Sequence, residues 1–375
     1  MTDTTTDMTE MAQGPAEQGP AQDFETHDQY GGYEASEAAE LLTAARLGVD
    51  PEVRRAVESL PGAMRRIVRY HFGWEHADGA PAAGHAGKAI RPALVLAAVR
   101  ALGGEQAMAV RAAAAVELTH NFTLLHDDVM DRDPTRRHRP TAWAVFGESD
   151  AILAGDALQA LAQRLLAEDP HPGASEAAAR LAACVVELCA GQQADSTFER
   201  RGPAEVTLDE CLAMAEAKTG ALLGCACALG ALYAGAGRSE VDALDGFGRE
   251  AGLAFQLIDD VIGIWGDPGH TGKPARADLA SRKKSLPVVA ALASGTPAAA
   301  ELAELYGRPP TGPGDDGDLE RIAHAVEAAG GKDWALMHAA DRMSRALNQL
   351  SRAVPAPEAA GSLLTLAEFV TRRTY

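Results

Sequence analysis

The sequence predicts an all-α fold, and three observations lead there. Aromatic residues make up only 5% of the 375 residues, Ala and Leu are abundant, and runs in which β-branched residues alternate with polar ones are few. Apolar residues instead recur in long stretches that lack Pro and Gly, such as Ala107 to Leu125, which suit buried helices. No glycine-rich turn follows a strand-like run, so a nucleotide-binding α/β fold has nothing to rest on. The helical pattern continues without a long linker, so residues 39–375 are expected to form one large domain.

Ahead of that domain, residues 1–38 are rich in Thr, Gln, Gly, Pro and acids. They hold too little apolar surface to offset the entropy of ordering, so a disordered acidic tail is expected. Phe24, Tyr30 and Tyr33 interrupt it and suit a docking segment. Short helices are expected at about 36–47, 51–59 and 61–72, the second opened by Asp50 as N-cap and Pro51 at the first helical position. A Gly/Ala/Pro loop, Asp78 to Gly87, leads into GKAIRP (Gly87 to Pro92). Further helices are expected at about 88–101, 105–131, 149–167, 174–196, 207–234, 238–265, 285–294, 318–329, 332–353 and 357–373. Breaks fall at Asp169 to Gly173, Arg201 to Pro203, Gly266 to Asp278 and Gly307 to Asp318, the last holding three prolines.

The net charge is −19, of which residues 1–40, with ten acids and no Lys or Arg, carry −10. Such a chain is a poor partner for nucleic acid or an anionic membrane surface. No signal peptide and no apolar run long enough to span a bilayer is apparent. Cys184, Cys189, Cys211, Cys225 and Cys227 lie in apolar helical runs without ligand spacing, as reduced core residues of a cytoplasmic protein would.

The chemistry concentrates in His120 to Arg137, HNFTLLHDDVMDRDPTRR. On a helix, Asp127 and Asp131 share a face one turn apart with Asp128 beside them. Taken alone, the plain reading is a solvated helix end. A buried helix ending in three acids has to neutralise them, however, and Mg²⁺, which takes oxygen ligands and shares its shell with phosphates, does so. A second cluster, Asp259-Asp260 in FQLIDD, ends another apolar run about 130 residues on. Two such helix ends facing each other is how all-α folds build metal sites.

With GKAIRP, Arg136-Arg137, Lys218-Thr219 and GKPARADLASRKKSLP (Gly272 to Pro287), these paired acid motifs resemble the trans-isoprenyl diphosphate synthases, the polyprenyl synthetase family, across roughly residues 40–375. The resemblance extends to actinobacterial short-chain members, including those described as cargo of encapsulin shells. It implies the isoprenoid-synthase helical bundle, with a central apolar cavity and two facing Asp-rich motifs. It also implies a Mg²⁺-dependent head-to-tail condensation of isopentenyl diphosphate with an allylic diphosphate, and a homodimer. Carried over by position, Asp127, Asp128, Asp131, Lys218 and Asp259 are catalytic, with Asp127, Asp131 and Asp259 as metal ligands and Asp260 behind them. Arg136, Lys218, Thr219, Gln256, Lys273 and Lys283 face the allylic diphosphate; Lys88, Arg91, His120 and Arg137 form a metal-free isopentenyl diphosphate site. Gln192 and Asp195 supply polar support between helices.

Phe122 stands five positions before the first aspartate, where bulk shortens the product in this family, with Thr123 beside it. A farnesyl or geranylgeranyl product is expected. Three positions depart from the family pattern: Gly263 stands where the second motif carries its third acid, and Arg276 and Arg282 replace customary glycines. Gly263 is expected to weaken metal binding. Rival readings are a terpene cyclase of the same fold, against which the isopentenyl diphosphate residues argue, and a non-catalytic partner subunit, for which Gly263 speaks. The acidic tail, together with YHFGW (Tyr70 to Trp74), suggests a place inside an encapsulin nanocompartment.

Overall fold

The computed structural model describes residues 29–82, 84, 87–267, 276–308 and 316–371. The fold is an α-helical bundle, as the composition predicts, and the one two-stranded sheet among the described residues joins Thr135–Arg136 to Arg139–Pro140. We number the helices α1 Gln29–Glu58, α2 Gly62–His71, α3 Ile90–Ala101, α4 Val110–Met130, α5 Ala142–Phe146, α6 Glu148–Ala167 and α7 Ala174–Phe198. They continue as α8 Leu208–Tyr233, α9 Arg238–Trp265, α10 Ala277–Ala280, α11 Leu286–Leu292, α12 Pro297–Tyr306, α13 Asp316–Ala328, α14 Gly331–Ala353 and α15 Pro357–Thr371.

Two helices are apolar on nearly every side and form the centre. In α4, Ala112 through Val116 are fully buried; in α8, every residue from Ala221 to Tyr233 is buried. α4 packs against α6, while α8 lies between α3, α7 and α9, and α9 leans on α14. Glycines set the closeness of α8 to α9. A Cβ on Gly252 would stand 2.8 Å from Gly220 Cα, and one on Gly224 would stand 2.7 Å from the Asp245 carbonyl oxygen. Any side chain there would force apart the two helices that carry Lys218 and Asp259, at a cost of ~1–3 kcal/mol for overpacking. α8 is long and apolar enough to cross a membrane, contrary to the sequence expectation that no such run exists. Two-thirds (67%) of that window is nevertheless buried inside the bundle, as in a core helix.

The first helix corrects two expectations. It begins at Gln29, inside the segment assigned to the tail, and it runs unbroken through Pro51, where a new helix was expected. Leu42, Ala45, Val49, Val53, Ala56 and Val57 form one buried stripe on both sides of that proline. Their shared packing outweighs the ~3 kcal/mol that an interior proline costs a helix. Helix α12 was not expected, although Thr296 caps it by accepting from the Ala299 amide and Pro297 occupies its first position. The YHFGW stretch is core: Tyr70, Phe72 and Trp74 are buried, Phe72 stacks on Trp74 with centroids 4.6 Å apart, and Arg54 caps that ring. Four cysteines are buried as expected, but Cys189 is exposed.

Candidate active site

A cavity of about 300 Å³ opens beside the acid end of α4, between α4, α7 and α8. Its walls include Arg91, His120, Phe122, Asp127, Gln192 and Lys218. Helix α4 ends at Met130, and the Asp131 amide still donates to the Asp127 carbonyl at 2.8 Å, so Asp127 and Asp131 keep the one-turn spacing that the sequence predicts. Burial raises Asp127 and Asp128 to about 6 each. Asp131 adds repulsion to Asp127, and Lys218 and Arg136 oppose the shifts. Asp131 reaches solvent yet is also raised, first by the desolvation around it. Asp128 accepts from Arg136 Nε at 2.6 Å, and its other carboxylate oxygen is buried without a hydrogen-bond partner. These acids are crowded beyond what the chain's own cations relieve, so the donor set suits a divalent cation. Among the described residues, no group of three or more acids, His or Cys is already gathered around one point.

Lys218 sits in a π-helical turn, Glu216–Gly220, that interrupts α8. Such a turn rotates the register by one residue and frequently marks a functional site. Gly191 on α7 makes room for it, since a Cβ there would stand 2.7 Å from the Lys218 amide nitrogen. The Lys218 ammonium donates to Asp195 at 2.6 Å and lies in the fields of Asp127 and Asp131. Asp195 also acts on Lys283, as do Asp259 and Asp260, so the two acid ends share one mouth with Asp195 between them. Asp195, assigned only a supporting role in the sequence, is a principal charge there. Gln192, one turn before it, lines the cavity with both amide atoms buried and unpaired.

On the α9 side the polar groups are saturated. Thr219 Oγ1 donates to Gln256 Oε1 (2.7 Å), and Gln256 Nε2 donates to Asp260 Oδ1 (2.9 Å). Asp260 is 3% exposed and also accepts from Lys283 Nζ (3.3 Å) and the Leu286 amide (2.9 Å). Asp259, the other carboxylate of the motif, is half-buried with Lys283 near it. Lys273 lies outside the described residues. Arg276 and Arg282 both have positive φ, 59° and 55°, the conformation that explains glycine at such places.

The basic side is built by two loops that back onto each other. In the hairpin, Arg136 pairs with Arg139, which leaves Arg137 and His138 as a two-residue turn with φ of 52° and 60°. Arg139 anchors the hairpin to the Tyr70 and Glu75 carbonyls at 3.2 and 3.1 Å. Gly87, with φ 133°, faces the tip: a Cβ there would stand 2.7 Å from Arg137 Nη2. Arg91 is lowered by burial and by Arg137, and its Nε is buried without a partner. Arg137, although its side chain reaches solvent, is lowered by the desolvation around it and then by Arg136. His120 falls well below its ordinary range because of burial and these three arginines, so its imidazole is neutral at pH 7. Arg91, His120 and Arg137 therefore form one cluster, whereas the Lys88 ammonium lies 5.2 Å over the ring of Phe369 on the last helix.

Phe122, two residues after His120 on α4, lies on the cavity wall and packs edge-on against His126, centroids 4.8 Å apart. Thr123 also lines the cavity, and its hydroxyl donates back to the His120 carbonyl.

The family model for polyprenyl synthetase matches residues 81–326. The chain is 49% identical over 334 residues to a geranylgeranyl diphosphate synthase of Mycobacterium tuberculosis, covering 89% of this chain and 93% of that one. It is 44% identical over 336 residues to a (2E,6E)-farnesyl diphosphate synthase of Mycobacterium bovis, covering 89% and 92%. The crystal structure of a polyprenyl synthetase from Streptomyces coelicolor superposes with a TM-score of 0.84 at 42% identity, over 88% of this chain and 98% of that one. The chain belongs to the polyprenyl synthetase family.

Proposed function

We propose that the protein condenses isopentenyl diphosphate head-to-tail with an allylic diphosphate and releases a short all-trans prenyl diphosphate, farnesyl or geranylgeranyl diphosphate. The observation that carries this reading is the pairing, at the mouth of one apolar cavity, of a desolvated acid rim with a desolvated basic rim. Two anionic substrates meet there on different terms.

On the acid side, Asp127, Asp131 and Asp259 would hold Mg²⁺, which supplies the charge that lets a carboxylate rim accept a diphosphate and lets pyrophosphate leave. Lys218, Lys283 and Arg136 give up carboxylate partners to reach the diphosphate oxygens, so their donors strengthen as negative charge develops on the leaving group. Thr219 and Gln256 orient Asp260, and through it Lys283. On the basic side, the fork of Arg91 and the turn-mounted Arg137 take isopentenyl diphosphate without metal, and neutral His120 donates one further hydrogen bond. Lys88 joins them by leaving Phe369. The apolar wall excludes the water that would quench an allylic cation. Phe122 closes the bottom of the cavity and limits product length.

Relatives of similar identity carry farnesyl and geranylgeranyl names, so the cavity floor rather than the family match decides between those products. A cyclase of the same fold has no use for a metal-free basic subsite, which makes that rival the weaker reading. Ile152 and Leu153 on α6 and Val186 on α7 expose apolar side chains, which a second copy in a homodimer would cover. The acidic tail, residues 1–38, is the segment proposed to address an encapsulin shell; its residues 1–28 lie outside the described residues, and removing the tail should abolish shell loading and leave turnover intact.

The test is product analysis by mass spectrometry with isopentenyl diphosphate and dimethylallyl, geranyl or farnesyl diphosphate. A Mg²⁺-dependent prenyl diphosphate is expected. A hydrocarbon or alcohol formed from the allylic diphosphate alone would replace the reading with a cyclase, and no turnover with any starter would favour the partner subunit.

A further inference from the structure

The second acid motif reads DDVIG, and the structure shows what occupies the place of its missing side chain. A Cβ built on Gly263 would run into the carboxylate of Asp278, with Cγ at 2.6 Å and Oδ1 at 3.1 Å and Oδ2 nearer still. No other described glycine of α9 faces a carboxylate carbon so closely. Asp278 stands on α10, in the loop that returns to the site, and three contacts fix that loop. Its carbonyl accepts from the Lys283 amide (2.9 Å) and from Ser281 Oγ (3.1 Å), while Tyr306 donates its hydroxyl to the Lys283 carbonyl (3.1 Å). The Arg282 guanidinium lies 5.4 Å over the Tyr306 ring. Lys283 Nζ is thereby held between Asp260 Oδ1 at 3.3 Å and Asp278 Oδ2 at 3.7 Å.

We infer that Asp278 supplies, from the following loop, the carboxylate that the second motif lacks at residue 263. Gly263 is the notch that admits it, and Asp278 acts as a positioning residue for Lys283 at the diphosphate. This inference rests on the proposed prenyltransferase reading. It reverses the expectation that Gly263 weakens the metal site: the absent side chain and the inserted carboxylate are one device. It also gives the left-handed Arg276 and Arg282 a place, since they bracket the turn that delivers Asp278 and Lys283 together.

The experiment compares wild type with Gly263→Asp, Asp278→Ala and the double variant, using inorganic pyrophosphate with Mg²⁺ as a binding probe beside steady-state kinetics. Each single change should weaken pyrophosphate binding and raise KM for the allylic diphosphate about tenfold, with KM for isopentenyl diphosphate unchanged within about twofold. The double variant, with its carboxylate now reaching from position 263, should recover to within about threefold of wild type. Amide hydrogen exchange in the metal-free proteins provides a readout independent of turnover: residues 276–284 should exchange faster in both single variants. Tighter pyrophosphate binding in Gly263→Asp, or a double variant no better than the worse single one, would overturn the inference. If wild type makes no prenyl diphosphate, the functional reading fails on its own, while the exchange experiment still decides whether Asp278 and Gly263 fit together.

Discussion

The two rims of the cavity carry opposite charge and the same kind of stress. On one, burial and like charges raise Asp127, Asp128 and Asp131; on the other, burial and like charges lower Arg91, Arg137 and His120. Arg136 links them through its ion pair with Asp128. A fold seeking only stability would interleave these charges, because an uncompensated buried charge costs several kcal/mol, on the order of 3–5 when one partner of a pair is removed. Segregating them leaves each rim waiting for a different partner. The acids need a cation before they can accept an anion, and the arginines need only the anion.

Breaking the acid rim should have the largest effect. Asp127→Asn is expected to lower kcat by about a thousandfold or more, as loss of leaving-group stabilisation does, while raising the melting temperature at pH 8. An activity loss accompanied by a fall in melting temperature would mean that Asp127 is structural. Next comes the basic rim: Arg137→Ala should raise KM for isopentenyl diphosphate about 10- to 100-fold and leave KM for the allylic substrate almost unchanged, the loss expected for a charged hydrogen bond. Equal effects on both KM values would erase the division between the rims.

Smaller effects sharpen the comparison. Phe122→Ala should lengthen the product by at least one five-carbon unit, and an unchanged product would remove Phe122 as the floor. Glu117, hydrogen-bonded by Asn121 at 2.9 Å and facing Arg91, is an acid on the basic side, and burial raises it to about 7. A raised carboxyl contributes stability below its ordinary value of about 4.5, and that stability is lost as pH climbs to about 7. Glu117→Gln, which cannot ionise, should therefore match wild type in melting temperature at pH 4.5 and exceed it at pH 8. A constant difference across that range would contradict the shift.

The rims were legible in the sequence to different degrees. The acid rim announces itself, because Asp127, Asp128 and Asp131 fall on one helix whose local spacing fixes their geometry. The basic cluster was readable only through motif resemblance, since Arg91, His120 and Arg137 come from α3, α4 and a hairpin brought together by Gly87 and by a strained two-residue turn. What stayed hidden depends on contacts between distant elements. Asp195 gains its importance from the π turn around Lys218, and Asp278 from the notch at Gly263; neither residue's spacing to its partner carries a periodic signal. Pro51 misled for a related reason, as its local cost to the helix is visible in sequence and the buried stripe that outweighs it is not. The caps of α12, Thr296 and Pro297, were local signals that sequence reasoning could have used.

Calorimetric binding of the two substrates, with and without divalent cation, tests this division most directly. The wild-type protein should bind one isopentenyl diphosphate in the presence of a chelator, and a non-ionisable thio analogue of the allylic diphosphate only once Mg²⁺ is added. Isopentenyl diphosphate binding that requires Mg²⁺, or analogue binding that does not, would contradict the account.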